Sequence, residues 1–172
     1  MRHTGMGKYG IMIMSGFAAL WVFWGLSAFR DVPLPAVLAP VLLSGGLIWM
    51  ASRMPVHADV EARRRVGRVV GWVSAGEGIA IFVAANILAW CGWSAWFPSV
   101  TAAIVGLHFF PLARLLGVRL YDASGAAIVA VGVISGIMPD VHARLMVAGF
   151  GAAAILYATC LSVLGRARVV RA

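Results

Sequence analysis

Val69–Trp90 reads VVGWVSAGEGIAIFVAANILAW, 22 residues with a single ionisable side chain, Glu77. At about 1.5 Å per residue, such a run is long enough as a helix to cross the roughly 30 Å hydrocarbon core of a bilayer. Backbone amides in hydrocarbon must bond internally, which makes an uninterrupted apolar run of this length helical. Five further runs repeat the pattern. The predicted spans are Tyr9–Phe29, Pro35–Ser52, Val69–Trp90, Trp96–Ala113, Ala123–Met138 and Leu145–Leu164. Charge or proline separates them, at Arg30-Asp31-Val32-Pro33, Arg53-Met54-Pro55, Phe97-Pro98 and Pro139-Asp140.

Composition agrees. The 172 residues are 62% hydrophobic and 12% charged, with a mean hydropathy of +0.94, far more apolar than a soluble domain. The expected fold is all-α: one transmembrane domain over residues 1–172, built as a six-helix polytopic bundle. The N-terminal basic flank and apolar run resemble a signal peptide. The run is longer than a usual h-region and lacks a small-x-small cleavage site, so it reads as a retained first span.

Charge placement gives the orientation. Of the 14 Lys and Arg residues, 12 fall in the termini and the even-numbered loops, five of them in the basic loop 53–68. Only Arg30 and Arg144 lie in odd-numbered loops. The positive-inside bias therefore predicts both termini and loop 53–68 in the cytoplasm. Asp59-x-Glu61 ahead of Arg63-Arg64-Arg65 suits a short helix running into span 3, with its arginines at anionic lipid headgroups. The charge of +8 is not read as nucleic-acid binding, because the arginines cap apolar runs and form no aromatic-interleaved groove. Trp49, Trp72, Trp90, Trp93 and Trp96 read as interfacial anchors.

Close packing in lipid needs small residues. Gly67 and Gly71, then Gly76, Ala80 and Ala84, form such a stripe on span 3. Gly132 and Gly136 do so on span 5, and Gly149, Gly151 and Ala152–Ala154 on span 6. Ser15 and Ala19 on span 1 could face a partner subunit or a second copy.

Few strongly polar groups lie well inside spans, and these are Glu77, Asn86 and His108. An ionisable group at that depth costs about 2.5–3.5 kcal/mol on insertion scales and usually faces the bundle interior. Glu77 lies about 13 Å in from Arg68, and His108 about 9 Å in from Arg114, at ~1.5 Å per residue. Spans 3 and 4 should be neighbours, so the two groups can meet. A carboxylate beside an imidazole either forms an ion pair or shares a proton, which suits a proton relay or substrate anchor and equally suits interhelical glue.

Thr101 falls on the His108 face, and Pro111 removes the amide that would bond the carbonyl of Leu107, predicting a kink and a small polar pocket. Asn86 lies half a turn from Glu77 and is expected to bond another helix. Tyr157, with Thr159, Cys160 and Ser162, offers a secondary polar cluster.

Gly76-Glu77-Gly78 together with Gly106–Arg114, GLHFFPLAR, resembles an uncharacterised group of small bacterial multi-pass membrane proteins bearing a GLHF-x-PLA stretch. The resemblance covers spans 3 and 4 and implies that Glu77 and His108 belong together. It implies no activity.

Several chemistries are excluded by composition. No lysine lies within a span to hold retinal, and His3, His57 and His142 map to ends and loops, unlike haem ligands. Walker and Rossmann glycine patterns, paired acidic motifs and a GxSG serine element are missing, and no metal or cofactor is expected. The Met residues near the N-terminus read as lipid-facing bulk rather than a copper site. Cys91 and Cys160 should lie at opposite ends, too far apart for a disulfide. The expected function is a small-solute or ion carrier, proton-linked through Glu77 and His108. The alternatives are a substrate-capture or accessory subunit, a membrane-embedded enzyme on a lipid or quinone, or a structural scaffold.

Overall fold

The computed structural model describes residues 6–54 and 60–169. Within them the chain is all-helical, with no strand. Six α-helices follow one another: α1 Met6–Leu26, α2 Leu34–Ser52, α3 Val60–Trp90, α4 Phe97–Leu116, α5 Arg119–Gly136 and α6 Val141–Val169. One 3-10 turn, Ser94–Trp96, leads into α4. Five of them, all but α5, are long and apolar enough to cross a membrane. The apolar part of α5 is shortened by Arg119 and Asp122 in its first turn. Its buried face is mostly small, with Ser124, Gly125, Gly132, Ser135 and Gly136 beside Tyr121 and Ile128.

Helix boundaries follow local chemistry. Proline opens both α2 and α4, where its missing amide hydrogen costs nothing. The Asp140 carboxylate accepts the amide of Ala143 at 2.8 Å and starts α6 four residues ahead of the predicted span. Gly117 ends α4 at φ 67°, a left-handed conformation that glycine adopts without strain. α3 absorbs the arginine-rich loop and begins at Val60, so the predicted short helix is continuous with the span; Asp59 and His57 lie outside the described residues. At 31 residues α3 is about 46 Å long and outreaches the bilayer core.

Neighbouring helices run in the order α2, α1, α6, α5, α4, α3, with α4 also touching α6. The tightest seams are α4 on α5 and α1 on α6. Glycine sets both. A Cβ added to Gly106 would come within 2.6 Å of the Val129 amide, and one on Gly125 within 2.8 Å of the Gly106 carbonyl. A Cβ on Gly149 would meet the Gly25 backbone at 2.5 Å. Around these seams Ile11, Ala18, Trp21, Ile128, Leu156 and Cys160 fill the core.

Two packing expectations are corrected. The small-residue stripe on α3 is not a helix seam: nothing lies within 4 Å of a Cβ placed on Gly67, Gly71 or Gly76. Ser15 and Ala19 do not face outward for a partner; both are buried inside this chain, where the Ser15 carbonyl accepts the Ser44 hydroxyl at 2.7 Å. α3 is the outlying helix. None of its apolar window is buried, and it packs chiefly on α4.

The two ends are pinned differently. At one end Lys8 donates to the Ser52 carbonyl and Arg53 lies 4.1 Å over the Trp49 ring. At the other, Arg144 donates to the carbonyls of Met138 and Ala95 and lies 4.3 Å over Trp96.

Candidate functional site

Glu77 sits on the α4-facing side of α3, and His108 on the α3-facing side of α4. The His108 Nδ1 lies 3.3 Å from Glu77 Oε1, with both side chains about 15% exposed. The same Nδ1 lies 2.6 Å from the carbonyl oxygen of Val105, one turn back in α4. A carbonyl can only accept, so Nδ1 carries a hydrogen and donates it to Val105, with the Glu77 carboxyl group close beside the ring. The free ring nitrogen is then Nε2. Neither Nε2 nor the second carboxyl oxygen of Glu77 has a hydrogen-bond partner among the described residues, and neither is sealed from its surroundings.

The pair forms part of the wall of a groove of about 370 Å³ between the two helices. Apart from Glu77 and His108 the lining is apolar: Trp72, Val73, Gly76 and Ala80 from α3, Ile104, Leu107 and Pro111 from α4. The groove opens on the flank of the bundle, since α3 packs chiefly on α4. Gly76 and Ala80 keep the α3 wall low; a larger residue at either position would fill the space. Trp72, 75% exposed, forms the rim.

Pro111 lies inside α4, which continues through it to Leu116 without a break in helical structure. Its ring forms part of the groove wall. The carbonyl of Leu107, which loses its usual donor to the proline, therefore belongs to a residue of the same groove.

The other sequence candidates lie elsewhere. Thr101 is 7% exposed inside the bundle, with its hydroxyl unpartnered, and does not line the groove. It lies seven residues from His108, near the first turn of α4, where the neighbouring helices enclose it. Asn86 bonds its own helix rather than another one, donating to the Phe82 carbonyl at 2.7 Å from an exposed position. Tyr157 contributes to a separate cluster joining α6 to α2 and α1: its hydroxyl donates to Ser44 Oγ at 2.8 Å, and Ser44 donates onward to the Ser15 carbonyl. Thr159 meets Ser124 of α5, and Cys160 lies 3.8 Å from the Ile11 carbonyl of α1. The polar residues of α6 thus diverge to three neighbours and form no single site. Both cysteines are free, Cys91 exposed and Cys160 buried.

Sequence reading missed the acceptor role of Val105 and the part played by Ser44. A main-chain acceptor leaves no residue signature, and Ser44 is one small polar residue in an apolar helix. Among the described residues no cluster of three or more His, Cys, Asp or Glu could hold a metal ion.

No protein-family model, no curated protein and no solved structure matches the chain.

Proposed function

We propose that the chain is a six-span protein of the bacterial inner membrane, with both termini in the cytoplasm, that carries a small membrane-soluble molecule and exchanges protons with it at Glu77 and His108. One observation carries this reading: an ionisable pair in contact, placed in the wall of a groove that opens sideways from the bundle. Buried ionisable pairs in spans are costly and are retained where protons or substrates are handled. In a membrane, a groove on the flank of α3 and α4 faces acyl chains, so its ligand arrives from the lipid phase.

The orientation is supported by the charges and by the antiparallel threading. Lys8, Arg53 and Ser52 share one end, while Ala95, Met138 and Arg144 share the other. The sixth span, α5, rests between α4 and α6 and needs little apolar surface of its own. Carriage is supported by the loose attachment of α3. A helix held chiefly through α4 can shift while the glycine-locked seams of α1 with α6 and α4 with α5 stay fixed.

The same lateral opening also favours a second reading, a membrane-embedded enzyme on a lipid or quinone with Glu77 and His108 as acid and base. The two readings separate by outcome: a carrier returns its ligand unchanged, and an enzyme does not.

The test is to purify wild-type and Glu77→Gln proteins in mild detergent, extract each with organic solvent and compare bound molecules by mass spectrometry. The expected result is a molecule enriched on the wild type. Added outside wild-type proteoliposomes, it should reach the interior faster than in Glu77→Gln proteoliposomes and be recovered intact. Equal extracts from both proteins would remove Glu77 from ligand binding.

A further inference from the structure

Resting on the reading of this groove as a ligand site, we infer that its ligand is an amphiphile with an uncharged head carrying a hydrogen-bond donor beside an acceptor. Val105 sets the donor pattern of the pair. Its carbonyl takes the hydrogen on His108 Nδ1 across 2.6 Å, which leaves Nε2 and the Glu77 carboxyl group as the side-chain polar atoms of the groove without a hydrogen-bond partner among the described residues. Two arrangements of one proton are available to them. With the carboxyl group protonated, Glu77 offers an O–H donor and Nε2 a lone pair. With the proton on the ring, Nε2–H is the donor and the carboxylate the acceptor. Either way the pair presents one donor and one acceptor, and its charge sums to zero.

Among the described residues no other charged side chain lines the groove. A head with a net charge would enter a low-dielectric site whose own two charges, where present, already neutralise each other, which is disfavoured, whereas a neutral head loses little if both its hydrogen bonds are met. Trp72, Val73, Ile104 and Leu107 then contact the apolar body. Primary amides, protonated carboxylic acids and hydroxylated ring ketones share this head chemistry. Such a head can take the Glu77 proton on its acceptor while passing its own proton to Nε2. That exchange leaves the ligand with its original proton count and the pair as carboxylate and imidazolium.

The experiment uses the full chain in lipid nanodiscs and the fluorescence of Trp72 at the groove rim, isolated by subtracting a Trp72→Phe variant. Three probes share one bromine-bearing alkyl tail, which quenches tryptophan on contact, and differ in the head: a primary amide, a sulfonate and a trimethylammonium. The amide should quench Trp72 saturably, at least about tenfold more tightly than either charged probe, because only the charged heads lose solvation uncompensated. Comparable or tighter saturable binding of a charged probe would overturn the inference and leave the ligand site standing. Weak, non-saturable quenching by all three would mean that ordinary lipid tails fill the groove, which sinks the ligand site as well. The ranking is read on wild-type protein, so it does not depend on any site variant folding. A His108→Gln variant that keeps its melting transition should bring the three probes to within about threefold of one another.

Discussion

Glu77 and His108 form the polar bridge between α3 and α4, 3.3 Å apart, in a seam otherwise made of apolar side chains. The bridge ties the outlying helix α3 to α4, the neighbour on which it chiefly packs.

This makes the two residues thermodynamically coupled. In a double-mutant cycle of Glu77→Ala and His108→Ala, followed by unfolding in detergent micelles, we expect a coupling energy of about 0.6–1.7 kcal/mol, the range of interhelical polar contacts in membranes. Additivity to within about 0.3 kcal/mol would mean that the contact contributes nothing.

Glycine substitutions should divide sharply by helix. Gly106→Ala, Gly125→Ala and Gly132→Ala each drive a methyl group into neighbouring backbone at 2.6–2.8 Å and should destabilise the protein by about 1–3 kcal/mol. Gly67→Ala and Gly71→Ala place the methyl in open space and should be neutral or stabilising by up to about 1 kcal/mol, through helix propensity alone. Thermal melts of the five variants decide this; a uniform response would contradict the assignment of the seams.

Cys91 offers a native probe of orientation. It is exposed between α3 and α4, at the end opposite Lys8 and Arg53, whereas Cys160 is buried against α1. A membrane-impermeant maleimide should label intact cells at Cys91 alone, and Cys91→Ser should abolish labelling. Labelling only after the cytoplasmic face is opened would invert the proposed topology.

Tyr157→Phe should cost about 0.5–1.5 kcal/mol, the net worth of one hydrogen bond, because the ring stays in place while the hydroxyl link to Ser44 is lost. Groove binding should be unchanged, since Tyr157 is on another seam. A change in probe affinity matching that of His108→Gln would show that the two clusters communicate.

Much of the fold is legible because apolar run length and flanking charge are strong local signals. The predicted second span, Pro35–Ser52, falls within one residue of α2. Ends set by tertiary or capping chemistry are less legible. α1 stops at Leu26 rather than Phe29, where the chain turns and Ser27 bonds the Trp24 carbonyl. Which small residues pack was legible in part: Gly132, Gly149 and Gly151 meet neighbouring helices as read, whereas Gly67, Gly71 and Gly76 do not. Gly76 and Gly106 look alike as letters, and only the order of helices shows that one borders open space and the other touches α5. Of the site, depth along two adjacent spans was enough to bring Glu77 toward His108. The lateral groove needed the further fact that α3 lies at the edge of the bundle.

The most direct test of the account is the protonation of His108 in a bilayer, read by ¹⁵N solid-state NMR of histidine-labelled protein and assigned by difference against His108→Gln. The account predicts that Nδ1 carries a hydrogen at every pH at which the protein stays folded, held by Val105, while only Nε2 gains and loses its proton. It also predicts that Glu77→Gln moves the pH at which Nε2 does so. A neutral ring with its hydrogen on Nε2 and a bare Nδ1, or an Nε2 titration indifferent to Glu77, would contradict it.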